Sequence, residues 1–296
     1  MTIINKLRKY ILMFVVMVSP FVMAYAESLD SLYRGGAKVV DLWPEGAPHD
    51  NGIDYLNPDL ETKRIYKPQM HVFTVKSKTP TKAVILMPGG AYEVLAVYKE
   101  GFMWKQFFNR EKVATIVLTY RTPNGHHEVP AEDVYQAMRL VKQHAEEWNI
   151  DTTQIGVMGF SAGGHLASTV ATHAPSDVWP AFQILFYPVI SMSDELTHKQ
   201  SRNNLLGNND TPELREYYSN ELQVKPFTPR AYIIAADNDK VVPVMNSIKY
   251  YEALKKYKIP AEMHIFPSGG HGFGIYPSFK YHEALMKTLS DWLHTF

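Results

Sequence analysis

The sequence predicts an α/β protein with a mostly parallel central sheet covered by helices on both faces. Three observations carry that expectation. Short apolar, β-prone runs alternate with longer stretches of helical spacing, the pattern of strands joined by crossover helices. The chain has 296 residues, which suits one such domain. The residues of chemical interest fall just past the ends of the predicted strands, where open α/β sheets carry functional groups.

In chain order, the N-terminus comes first. Lys6, Arg8 and Lys9 precede the apolar run Tyr10 to Val18, and Ala24-Tyr25-Ala26 follows as a small-x-small pattern. This reads as a secretory signal peptide over residues 1–26, leaving 27–296 as a single catalytic domain that is exported to the periplasm or the medium. The apolar run is short for a spanning helix, so no stable membrane insertion is expected after cleavage. Cysteine is absent, which rules out disulfides and a lipid-bearing thiol. A domain of this size can rely on its core alone.

Lys82-Ala83-Val84-Ile85-Leu86-Met87 is expected to be a strand, and Val113 to Thr119 another. Ala131 to Trp148 reads as a helix begun near Pro130, with Val134, Met138, Leu140 and Val141 among its buried positions. Gln154 to Met158 is a short strand, and a helix can continue from His165. Phe182 to Tyr187 is a further strand. Residues 191–228 break the rhythm as a polar, partly helical segment, either an excursion over the site or a surface insertion with no catalytic part. Arg230 to Ala236 reads as a buried strand. The helix from Val244 to Lys258 sets Met245, Ile248, Tyr251 and Leu254 at helical spacing. Ala261 to Phe266 is the last strand, and His282 to Trp292 the closing helix.

Four segments on this frame carry chemistry. Gly159-Phe160-Ser161-Ala162-Gly163 reads G-x-S-x-G between a strand and a helix. A serine hydroxyl becomes a useful nucleophile when a tight elbow exposes it beside a base. Gly159 and Gly163 leave room for close backbone approach, and the Ala162 amide can face a developing oxyanion. Asp237 and Asp239 lie just past the strand ending at Ala236; both can be turn residues, and either can orient a histidine. His271 stands in the glycine-dense loop Gly269-Gly270-His271-Gly272-Phe273-Gly274. Pro88-Gly89-Gly90-Ala91-Tyr92 follows an early strand, and the Gly90 and Ala91 amides are candidate oxyanion donors. The order Ser, Asp, His is that of α/β-hydrolases.

With these residues, the chain resembles the bacterial α/β-hydrolase esterases related to acetyl-xylan and feruloyl esterases and to dienelactone-hydrolase-like proteins. The resemblance rests on Met87 to Tyr92, Thr119-Tyr120-Arg121, Gly159 to Ala167, Asn204-Leu205-Leu206-Gly207, Asp239 to Pro243 and Gly269 to Gly274. It implies Ser161 as nucleophile, His271 as base and Asp239, rather than Asp237, as the acid, four residues before Pro243. The family loop often has a third glycine where this chain has Ala91; a negative φ there would keep the amide in use. The implied activity is hydrolysis of short acyl esters, acetyl foremost, on xylan or its oligosaccharides through an acyl-enzyme. A general short-chain carboxylesterase and a serine peptidase of the same fold are the alternatives. A non-catalytic binding module is disfavoured because all three residues are present.

The expected partner is a small-molecule or oligosaccharide ester. Tyr92, Trp43 and Tyr276 are candidate surfaces for a sugar ring. No cofactor and no metal are expected, and His126-His127-Glu128, which lacks zinc-ligand spacing, reads as a polar loop. Basic and acidic residues balance at 30 each, and residues 27–296 carry three negative charges in excess. That balance offers no footprint for nucleic acid.

Overall fold

A computed structural model describes residues 34–53 and 67–296. The expected signal peptide lies outside the described residues. Residues 37–296 form one compact unit, and only 34–36 of the preceding unit are described. No described helix is long and apolar enough to cross a membrane.

Among the described residues, eight strands build one sheet in the order β1-β2-β4-β3-β5-β6-β7-β8. These are β1 (Lys38–Asp41), β2 (Gln69–Phe73), β3 (Thr81–Met87), β4 (Ala114–Thr119), β5 (Ile150–Phe160), β6 (Phe182–Phe186), β7 (Arg230–Ala236) and β8 (Ala261–Phe266). From β4 to β8 every neighbouring pair is parallel; β2 runs antiparallel to both β1 and β4. The sequence reading missed β1 and β2, which are short and lie at one edge.

The helices are α1 (Lys105–Arg110), α2 (Val129–Gln143), α3 (Ala145–Trp148), α4 (Ala162–His173), α5 (Lys199–Leu206), α6 (Pro212–Tyr217), α7 (Met245–Lys256) and α8 (His282–Leu293). The helix expected over 131–148 is two pieces, broken at His144 and ended by Asn149 in the left-handed region (φ 55°). Helix α7 is also rotated from the expected face. Met245 is 38% exposed, whereas Asn246, Ser247, Tyr250 and Leu254 are buried. The Asn246 amide explains the rotation. Its Oδ1 accepts from the Ile190 and Ser191 amides, and its Nδ2 donates to the Leu196 and Pro243 carbonyls. A polar side chain can take a core position when all its capacity is used.

The strands divide their side chains between two cores. Ala83, Ile85 and Met87 of β3 join one cluster with Val134, Met138 and Leu166. Val84 and Leu86 point the other way, into an aromatic cluster with Trp104, Phe108, Phe160, Phe186 and Trp292. Alternation along a strand covered on both faces produces this division.

Candidate active site

Strand β5 ends at Phe160, and α4 begins at Ala162. Ser161 makes the whole turn between them, at φ 52° and ψ −120°. A non-glycine residue there is strained by about 1–3 kcal/mol. The surroundings hold it: the Ser161 amide donates to Phe186, and its carbonyl accepts from His165 and Val189. The flanking glycines are sterically required. A Cβ on Gly163 would lie 2.0 Å from the Met87 carbonyl oxygen, and one on Gly159 would lie 2.0 Å from that of Gly163.

The structure brings Ser161, His271 and Asp239 together. Ser161 Oγ is 2.9 Å from His271 Nε2, and His271 Nδ1 is 2.7 Å from Asp239 Oδ2. The carboxylate can only accept, so Nδ1 carries the proton and Nε2 is left to accept from the Ser161 hydroxyl. Asp239 Oδ1 accepts from the Val241 and Val242 amides. Burial pushes the Asp239 carboxyl upward, but the His271 and backbone hydrogen bonds outweigh it and hold the group below its usual range. Asp237, by contrast, is exposed. Asn238 Oδ1 accepts from the Gly270 amide and so steadies the His271 loop.

The loop after β3 lies against Ser161. A Cβ on Gly89 would come within 2.9 Å of the Ser161 Cβ. The amides of Gly90, Ala91 and Ala162 donate to no acceptor among the described residues. Ala91 does not have the negative φ the sequence reading required; it stands at +56°, between Gly90 at +137° and Tyr92 at +60°. Alanine occupies that left-handed region at a cost of about 1–2 kcal/mol.

The three residues proposed as sugar surfaces lie in different settings. Tyr92 is buried; its hydroxyl donates to His165 Nδ1 at 2.8 Å and its ring meets Tyr120 edge-on, so it presents no face to a sugar. Trp43 donates from Nε1 to the buried Asp133 and lines a cavity with His49, Asp50 and Arg121. Tyr276 is exposed and lines a different cavity with Gly269, Phe273 and Phe279. None of Ser161, Asp239 and His271 is among the described lining of either cavity.

Sequence reasoning missed four residues here. Glu100, 3% exposed, accepts from the Gly89 amide at 2.8 Å and from the Tyr187 hydroxyl at 3.0 Å. The Tyr187 ring lies 4.8 Å from that of His271. From the 191–228 excursion, Asn204 Nδ2 donates to the Ala91 carbonyl at 2.8 Å. His198, whose Nδ1 bonds Ser201, is pushed below its ordinary value by burial and by its coupling to His271, against the pull of Asp239. Only Asn204 had a sequence signal, within Asn-Leu-Leu-Gly.

A mainly parallel sheet with a serine elbow after β5, an aspartate after β7 and a histidine after β8 defines an α/β-hydrolase. Residues 65–254 match the BD-FAE family model. The chain belongs to the BD-FAE family, within the α/β-hydrolase esterase group. It is 43% identical over 216 residues to an acetylxylan esterase of Xylanibacter ruminicola, a match covering 72% of this chain and 45% of that protein. It is 34% identical over 223 residues to endo-1,4-beta-xylanase B of Butyrivibrio fibrisolvens, covering 70% and 35% respectively. The chain thus spans less than half the length of these two relatives. A crystal structure of an acetyl ester-xyloside bifunctional hydrolase from Caldicellulosiruptor lactoaceticus superposes with a TM-score of 0.78 at 33% identity, covering 87% of this chain and 96% of that one.

Proposed function

We propose that this protein is a serine esterase that removes short acyl groups, acetyl foremost, from xylan or xylo-oligosaccharides. The hydrogen-bonded series from Asp239 through His271 to Ser161 Oγ carries the catalytic part of this reading. The likeness to an acetylxylan esterase supports the substrate part.

In this mechanism, Ser161 Oγ bonds to the ester carbonyl carbon as its proton passes to His271 Nε2. The carbonyl π electrons move to oxygen, which is received by the amides of Gly90, Ala91 and Ala162. Each such donor is worth about 3–4 kcal/mol in related sites. Asp239 stabilises the imidazolium and fixes its orientation. The tetrahedral centre collapses and breaks the bond to the sugar oxygen, which takes the proton from Nε2. Water then attacks the acyl-enzyme, with His271 again as base, and releases the free acid and Ser161.

Export to the periplasm or the medium belongs to the same reading and rests on the pattern of residues 6–26; N-terminal sequencing of the secreted protein tests it. The catalytic reading is tested by acetate release from acetylated xylo-oligosaccharides, beside an aryl acetate and a peptide, with Ser161→Ala as the blank. The substitution should cost at least about 1,000-fold. Near-full activity in that variant would remove Ser161 from the role of nucleophile. Release from the aryl acetate alone would leave a general short-chain esterase, and cleavage of the peptide alone a peptidase.

A further inference from the structure

We propose that Asn204 is a positioning residue that holds the amides of the 89–92 loop in their working orientation, a role that rests on the esterase reading above. Three consecutive residues, Gly90, Ala91 and Tyr92, have positive φ. Only the first is glycine, so the run needs outside support to persist. Support below the loop comes from Glu100 on the Gly89 amide and His165 on the Tyr92 hydroxyl. Neither touches Ala91, the alanine in the left-handed region. Asn204 does, through the 2.8 Å bond from Nδ2 to the Ala91 carbonyl.

The geometry of that contact explains its leverage. Ala91 joins two peptide planes. The Gly90–Ala91 plane carries an amide proposed to receive the oxyanion, and its carbonyl accepts from the Glu93 and Val94 amides; the Ala91–Tyr92 plane carries the carbonyl that Asn204 grips. With both planes held, Ala91 is kept at positive φ; losing the Asn204 contact frees the second plane and leaves the strain at Ala91 to be opposed only by the Glu93 and Val94 bonds on the first, so the proposed donor amide tilts. Helix α5 makes the grip firm. Leu205 and Leu206 are buried in the core. Arg202 ties to the Met192 carbonyl and Asp194. The Asn204 carbonyl accepts from the Gly125 amide at 2.8 Å. The excursion therefore reaches the Ala91 carbonyl through this side-chain amide.

A double-mutant cycle tests this. The variants are Asn204→Ala and Asn204→Asp, each in the native and in the Ala91→Gly background, assayed on an aryl acetate with thermal midpoints recorded. Asn204→Asp keeps the shape and loses the donor, so it serves if the alanine variant folds poorly. The expected result is a fall in kcat of about 10- to 100-fold with KM within about twofold, because a misaimed oxyanion donor is felt mainly in the transition state. Glycine needs no help to hold positive φ. In the Ala91→Gly background the loss should therefore shrink by about tenfold. Unchanged kcat in both Asn204 variants overturns the proposal. So does an equal loss in both backgrounds, which marks a general structural role for α5. Failure of the esterase reading itself is seen separately, as activity surviving Ser161→Ala.

Discussion

At the residue scale, burial separates two aspartates that composition treats alike. Asp239 is enclosed and bonded to His271, while Asp237, two residues earlier, is exposed. We expect Asp239→Asn to lower kcat by about 10,000-fold, because the imidazole loses its tautomer control. Asp237→Asn should stay within about threefold on the same assay; the reverse ranking would transfer the acid role. Ala91 supplies a second expectation. Its φ of +56° favours glycine, so Ala91→Gly should raise stability by about 1 kcal/mol in denaturant titration. A lowered midpoint would contradict the strain argument. Ser161 and His271 were legible in the sequence because a sharp elbow and an uncrowded loop both call for glycines. The choice of Asp239 was not legible from residue types, since both aspartates suit a turn. Glu100 and Asn204 left little trace because they act through backbone groups 11 and 113 positions away.

At the element scale, polar side chains fix what apolar periodicity leaves open. Buried Asp133 on α2 accepts from the Arg121 amide and guanidinium and from the Trp43 indole. Arg121 also donates to the His49 carbonyl. Removing the carboxylate leaves a buried cation without its counter-charge, so Asp133→Ala should destabilise by about 3–5 kcal/mol. Chemical denaturation reads this directly, and a change under about 1 kcal/mol would show that the cluster adds little. The excursion is attached by the same kind of bond. Asn246 caps its root, and Asn220 Nδ2 donates to Ser168 Oγ on α4. Strands β3, β4, β6 and β7 and the second half of β5 were readable because they are buried on both faces and therefore largely apolar, whereas β8 is half-exposed and was marked mainly by its place before the glycine-dense loop. Strands β1 and β2 escaped because they are only four and five residues long, with half-exposed ends. The rotated face of α7 escaped because its buried Asn246 breaks the apolar period.

At the scale of the whole molecule, folding is linked to pH through His165. This imidazole is fully buried; Nε2 donates to the Tyr218 carbonyl and Nδ1 accepts from the Tyr92 hydroxyl. Burial lowers its pKa to about 4, so it is neutral in the folded protein at ordinary pH. The unfolded chain, with a value near 6.5, takes up a proton first. Its contribution to stability is therefore complete above about pH 6.5 and is lost as pH falls toward about 4, by about 3 kcal/mol at most. Unfolding free energies measured from pH 7 to 4 should show this slope, and His165→Gln should flatten it. An equally steep slope in the variant would assign the acid sensitivity to other groups.

The packing of Gly163 beneath the Met87 carbonyl also bears on how this protein can change over evolutionary time. With no space between the elbow and the strand that bears the neighbouring loop, that contact forms a block in which few substitutions survive. The excursion of residues 191–228 packs on the shared core through residues such as Leu205 and Leu206 and touches that block through individual side chains such as Asn204. New substrate preferences are therefore most accessible by varying the excursion while Asn204, Asn220 and their contacts are kept. A library confined to its remaining exposed positions should yield many more active clones than one of equal size spread over residues 87–92 and 159–164. Diversification of substrates can then proceed without rebuilding the chemistry.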